Sequence, residues 1–144
     1  MKKLVATLLL LVMTLAMTAC GTLDINKIKG DWTLSSVGDQ TIEEYAESLG
    51  ATAESCYINW TVSDNSFTST NYAVSDTYDI ELKANGFEAM KNGMIVMSVV
   101  YKNDTLCYSV DYGNGPVEHV FVKGKNEFTA SAGDTSEGTA TTEA

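Results

Sequence analysis

His119 is the sole imidazole in a chain of 144 residues, and it limits at once which chemistries are open. Acyl transfer by a Ser or Cys nucleophile needs a base and an orienting acid beside it, and no Gly-x-Ser-x-Gly elbow accompanies this His. A lone His inside an alternating stretch reads as a packing or surface residue. One His and three Cys fall short of the usual zinc ligand sets. The acids contain no Asp-x-Asp-x-Asp-Gly calcium loop, and nothing marks out a carboxylate pair for glycoside hydrolysis. The expectation is a non-enzymatic protein with no catalytic residue, no cofactor and no metal site.

Cys56 and Cys107 leave two alternatives open. In an oxidising compartment they can form a disulfide closing a loop of about fifty residues, worth about 3–4 kcal/mol in the chain-entropy model. They can equally stay separate thiols, because the segments carrying them read as the second and seventh strands, which are not neighbours in a meander. Tyr57, Trp60, Tyr72, Tyr78, Tyr101, Tyr108 and Tyr112 are aromatics able to line a pocket or a carbohydrate-binding face. Strands favour aromatic residues for packing alone, and for each of them that is the simpler account.

Charge narrows the partners. Nineteen acids face nine basic residues, for a net charge of −10, and every basic residue is Lys. Nucleic-acid binding needs clustered cations to displace counterions, and this chain has the opposite balance. With 44% hydrophobic and 19% charged residues the composition is globular, and the length fits one domain.

Those residues need elements to hold them, and from Gly30 to about Lys123 the dominant period is two. Trp32 and Leu34, then Ile58, Trp60 and Val62, then Tyr78, Ile80 and Leu82, then Leu106, Tyr108 and Val110 each alternate with polar or smaller neighbours, the mark of a half-buried strand. Asn-, Gly- and Asp-containing turns at 63–65, 84–86, 91–93, 102–104 and 113–115 separate the runs. With the weaker Phe87–Met90 run this makes about eight strands. Sequential hairpins give an antiparallel meander, and eight strands suffice to close a small up-and-down barrel. The fold expected is therefore an all-β barrel with one short helix between its first two strands. That helix starts at Thr41, where Thr41 and Glu44 have capping-box spacing, runs through Ile42, Tyr45, Ala46 and Leu49, and stops at Gly50. Met94–Val100 is apolar on both faces, so its outer face needs a cover. The apolar face of the helix is the favoured one, ahead of a partner or a second copy.

Residues 1–19 read as an address. Lys2 and Lys3 precede an apolar run from Leu4 to about Met17, too short to span a bilayer, and small residues lead into Cys20. The junction resembles the lipobox of bacterial lipoproteins, although Met17 departs from the usual Leu or Val. The resemblance implies cleavage before Cys20 and acylation of that residue (a diacylglyceryl group and a palmitate-type chain), hence a cell-membrane anchor on the extracytoplasmic face. Residues 20–29 then read as a linker, 30–125 as the barrel domain, and 130–144, which lack large apolar residues, as a disordered tail.

At Gly30-Asp31-Trp32 the chain resembles the lipocalin and calycin superfamily, and more closely the short lipocalin-like domains of bacterial lipoproteins. The resemblance implies that Trp32, with Gly30 beside it, plugs the base of the barrel. Lipocalins usually stack an Arg on that Trp; here only Lys123 or Lys125 is placed to do so. It further implies a small apolar or amphipathic ligand held by interior residues, for which Leu34, Ile58, Trp60, Tyr78, Ile80, Leu106 and Tyr108 are the candidates. The second reading is a solid barrel that serves as an envelope module and binds a protein or cell-wall partner through a bare patch at Ile95, Met97 and Val99.

Overall fold

The computed structural model describes residues 21–72 and 74–127. The leader at 1–19, Cys20 and the 130–144 tail lie outside the described residues.

The chain enters through a one-turn helix, α1 (Ile25–Ile28), and runs into β1 (Gly30–Val37) and the two-residue β2 (Gln40–Thr41). Two short helices follow, α2 (Ile42–Ser48) and α3 (Ala53–Cys56). Then come β3 (Ile58–Val62), β4 (Ser66–Asn71), β5 (Val74–Lys83), β6 (Gly86–Lys91), β7 (Met94–Lys102), β8 (Thr105–Asp111) and β9 (Pro116–Lys123). Each strand from β3 to β9 pairs antiparallel with the next. β1 bonds β3 on one side, with Trp32 opposite Trp60, and β9 on the other, with Leu34 opposite Phe121. That double pairing closes an eight-stranded up-and-down barrel, and β2 extends one end of β1 as a short ninth strand.

Local chemistry explains the connections. Asn92 and Gly93, and Asn103 and Asp104, take positive φ (54°, 76°, 50° and 59°), the pairwise left-handed backbone that suits a tight hairpin. The β4–β5 turn has no such signature. Tyr72 occupies it with φ of 45°, and neither Asn nor Gly stands at that position. At α2 both halves of the capping box form, the Thr41 hydroxyl accepting from the Glu44 N–H and the Glu44 carboxylate accepting from the Thr41 N–H.

Three expectations are corrected. Residues 20–29 are not a free linker as far as they are described: the Leu23 N–H donates to the Lys83 carbonyl (2.7 Å) and Ile28 is fully buried, so this segment closes the base. The strand expected to start at Cys56 starts at Ile58, and Cys56 ends α3. The helix face does not cover Met94–Val100. α2 packs on β1, β2 and α3, because it leaves the barrel directly from β1, and Met94, Ile95 and Val96 stay 67, 56 and 50% exposed.

The barrel centre is filled. Trp60 stacks on Phe121 (3.4 Å between centroids, 13° apart) and meets Phe67 edge-on (4.9 Å). Phe67 in turn contacts Phe87 (5.5 Å), and all four rings are at most 1% exposed. Such aromatic contacts add to plain area burial. The wall is uneven. β7 pairs with β6 from Met94 to Val100, yet with β8 only from Val100 opposite Cys107 to Lys102 opposite Thr105. Beyond Val100 the two strands part, leaving a surface groove of about 460 Å³ bordered by Ile95, Val96, Met97, Tyr108 and Val110 among others.

Candidate functional site: the mouth of the barrel

The two ends of the barrel differ. At the base, Trp32 is fully buried and its indole N–H donates to the Ile28 carbonyl at 2.7 Å. The Lys123 ammonium lies 4.2 Å from the Trp32 ring centroid and donates to the Lys29 carbonyl at 2.7 Å. Partial burial lowers the Lys123 pKa, against the attraction of Asp31. Gly30 has φ of 114°, a backbone that side-chain-bearing residues rarely adopt, where the chain turns from α1 into β1. This end is sealed by its own residues.

The other end is open. A cleft of about 270 Å³ lies between the ends of β1, β3, β8 and β9 and the helices α2 and α3. Leu34, Ile58 and Val37 form its apolar floor, Tyr45, Tyr57, Tyr108 and Tyr112 its walls, and Ser55, Cys56, Asn71 and His119 its remaining polar groups. A neighbouring hollow of about 480 Å³ shares Val37, Tyr45 and Tyr112 with it and brings in Asp39 and Gln40.

His119 is the best-defined polar group there, at 4% exposure. Its Nδ1 lies 3.2 Å from the Val117 carbonyl oxygen, which can only accept, so Nδ1 carries the proton. Burial lowers the His119 pKa below its ordinary value of 6.5, with the Val117 bond opposing, so the ring is neutral near pH 7. Nε2 therefore carries the lone pair. Its partner, the Tyr112 hydroxyl, stands at 3.5 Å, the outer limit of a hydrogen bond. The Tyr108 ring stacks on the imidazole at 4.7 Å. Burial raises the Tyr108 pKa, with smaller contributions from Tyr112 and Tyr45, whose phenols converge on it. Asp111 Oδ1 accepts from the Gly113 and Gly115 N–H groups (2.7 and 3.2 Å) and so braces the loop that carries Tyr112.

The residues expected to line an interior divide three ways. Leu34, Ile58 and Tyr108 border the mouth cleft. Trp60 and Leu106 are at most 1% exposed and belong to the packed core, while Tyr78 and Ile80 are half-buried against it. The interior space thus lies at one end instead of along the axis. Cys56 and Cys107 are free thiols, which corrects the disulfide alternative. Cys56 borders the mouth, whereas Cys107 lies in an outer groove with Val100, Lys102 and Glu118, its sulfur 3.4 Å from the Thr105 hydroxyl. Tyr45 and Asp39 were not singled out by pattern: Tyr45 reads as a position on the apolar face of the helix, and Asp39 belongs to no motif. His119 reads as a packing or surface residue, and the structure places it among those bordering the cleft.

The geometry defines a class: a closed eight-stranded antiparallel barrel with a sealed base, a solid aromatic centre and a shallow polar-edged mouth. No family model matches the chain, and no curated protein or solved structure matches it.

Proposed function

We propose that this protein is a lipid-anchored extracytoplasmic binding protein that takes a small amphipathic ligand at the barrel mouth. The observation that carries the binding role is the mouth cleft itself. It is an apolar floor ringed by a few convergent polar groups, the usual form of a small-molecule site, while the opposite end is closed by Trp32, Ile28 and Lys123. Its volume of about 270 Å³ suits a ligand smaller than a typical drug and leaves no room for a long acyl chain. The anchor is proposed on the lipobox-like sequence ending at Cys20. Mass spectrometry of the protein extracted from membranes tests it, because a chain that keeps residues 1–19 would refute it.

Binding is tested by titrating the protein with the neutral fluorophore N-phenyl-1-naphthylamine. Emission should rise with the unaltered chain and fall back with Ile58→Trp, which fills the cleft, but not with Val96→Lys on the outer wall. A second reading is favoured by one observation, the exposure of Met94, Ile95 and Val96 beside the groove between β7 and β8; of the patch expected at Ile95, Met97 and Val99 only Ile95 is bare, Met97 being half-buried and Val99 buried. In that reading the barrel binds a protein partner there. The same two variants separate the readings, because Val96→Lys then abolishes the interaction and Ile58→Trp leaves it intact.

A further inference from the structure

We infer that the ligand of the mouth is a small planar aromatic amine, its ring held among the tyrosines, an N–H on His119 Nε2 and its ammonium group toward Asp39. This rests on the binding reading above and adds the chemical class. The first support is the shape and nature of the walls. The inner hollow presents phenol rings from α2, β8 and two loops, and Tyr108 is already stacked on an imidazole, so a flat ring continues an existing stack.

The second support is the hydrogen-bonding state of His119. A buried neutral imidazole whose Nδ1–H is committed to the Val117 carbonyl leaves Nε2 as an acceptor, and its protein partner is at the limit of reach. Buried polar atoms normally have a well-placed partner. The long Tyr112 contact is one that a ligand N–H can replace, whereas a ligand carbonyl or carboxylate has no hydrogen to give Nε2.

The third support is the sign of the surroundings. The outer hollow that continues the cleft carries Asp39, and a further one sharing Asp39 and Gln40 carries Glu44 and Glu47. Among the described residues no lysine lines any of the three hollows. A negative rim draws in cations and repels anions, and phenol faces attract an ammonium group. An acidic rim around an acceptor nitrogen excludes fatty acids and other carboxylates, and it favours a molecule with an aromatic body and a protonated amine one short arm away.

Calorimetric titration with three probes that share one ring tests this: tryptamine, indole and indole-3-acetate. Tryptamine should bind at least about tenfold more tightly than indole-3-acetate. Asp39→Asn should weaken tryptamine by about two- to fivefold, as expected for an exposed ion pair, and leave indole unchanged. His119→Phe keeps a flat ring but removes the acceptor, and it should weaken both tryptamine and indole about five- to tenfold. The far-ultraviolet spectrum and melting temperature of each variant show that it has folded. If N-phenyl-1-naphthylamine or indole binds while tryptamine gains nothing over indole-3-acetate, the amine inference is overturned and the binding reading stands. If none of the probes binds the folded protein, both fall.

Discussion

Single side chains on β1 and on its neighbour β9 each set a stability that can be measured. Thr33 is buried on the outside of the barrel wall, and its hydroxyl is the one buried side-chain polar atom without a partner among the described residues. A buried hydroxyl with no partner costs stability, and an apolar group of the same shape removes that cost. Thr33→Val should therefore raise the urea midpoint by the equivalent of about 0.5–1.5 kcal/mol, with the m-value unchanged; a lower midpoint would show that the hydroxyl has a partner in solution. His119 sets a pH dependence. Burial holds its folded-state pKa below 6.5, so as pH falls through 6.5 the unfolded chain takes up the proton first and stability drops. The drop ends once the folded imidazole is also protonated. Burial raises the pKa of the Tyr108 phenol stacked on the imidazole, so that group stays protonated through the window. Comparing urea unfolding at pH 7.5 and 5.5, the loss should be larger for the unaltered chain than for His119→Gln, with equal losses refuting the assignment.

At the scale of elements, the strands and turns were legible where a single period or a single turn residue decides the outcome. The alternation of Trp32 and Leu34, of Ile58, Trp60 and Val62, and of Leu106 and Tyr108 is the inside–outside alternation of a closed barrel, and the Thr41–Glu44 box forms as spaced. What was not legible depends on long-range approach. Gly86 reads as a turn residue, but its φ is not in the left-handed region. It is glycine because β7 crosses so close that a Cβ would lie 1.9 Å from the Val99 carbonyl oxygen. Gly86→Ala should therefore cost about 3 kcal/mol or more, since backbone must move to admit one methyl group. The same change at Gly93, where nothing lies within 4 Å but φ is 76°, should cost only the local strain of about 1 kcal/mol. Thermal melts of both variants check the contrast. The mouth was illegible for the same reason: Tyr108 and His119 face each other across the β8–β9 hairpin, but Tyr45 lies far away in sequence on α2 and joins them only because β1 pairs with β9.

For the whole molecule, the base matters as much as the mouth, because closure there determines where the folded unit begins. Ile28 is fully buried beneath the barrel, its carbonyl accepts the Trp32 indole N–H, the Lys29 carbonyl accepts from Lys123, and Leu23 is hydrogen-bonded to Lys83. An acyl group on Cys20, as proposed, would leave only Gly21 and Thr22 between anchor and fold, about 10 Å even when extended. The sealed base would then lie against the membrane, with the acidic mouth of Asp39, Glu44 and Glu47 facing away from it. The packing claim is testable without the lipid. A chain starting at Gly30 loses Ile28 from the core and leaves a buried indole N–H without an acceptor. Those two losses together should cost about 4–6 kcal/mol, a large share of the stability of a domain this size. A chain starting at Gly21 should keep full stability in the same urea titration. Were residues 20–29 a passive tether, the two chains would unfold at the same midpoint. Ile28→Ala in the longer chain, expected to cost about 2–4 kcal/mol, then separates the loss of core packing from the loss of the indole's hydrogen bond, because it keeps the residue 28 carbonyl in place.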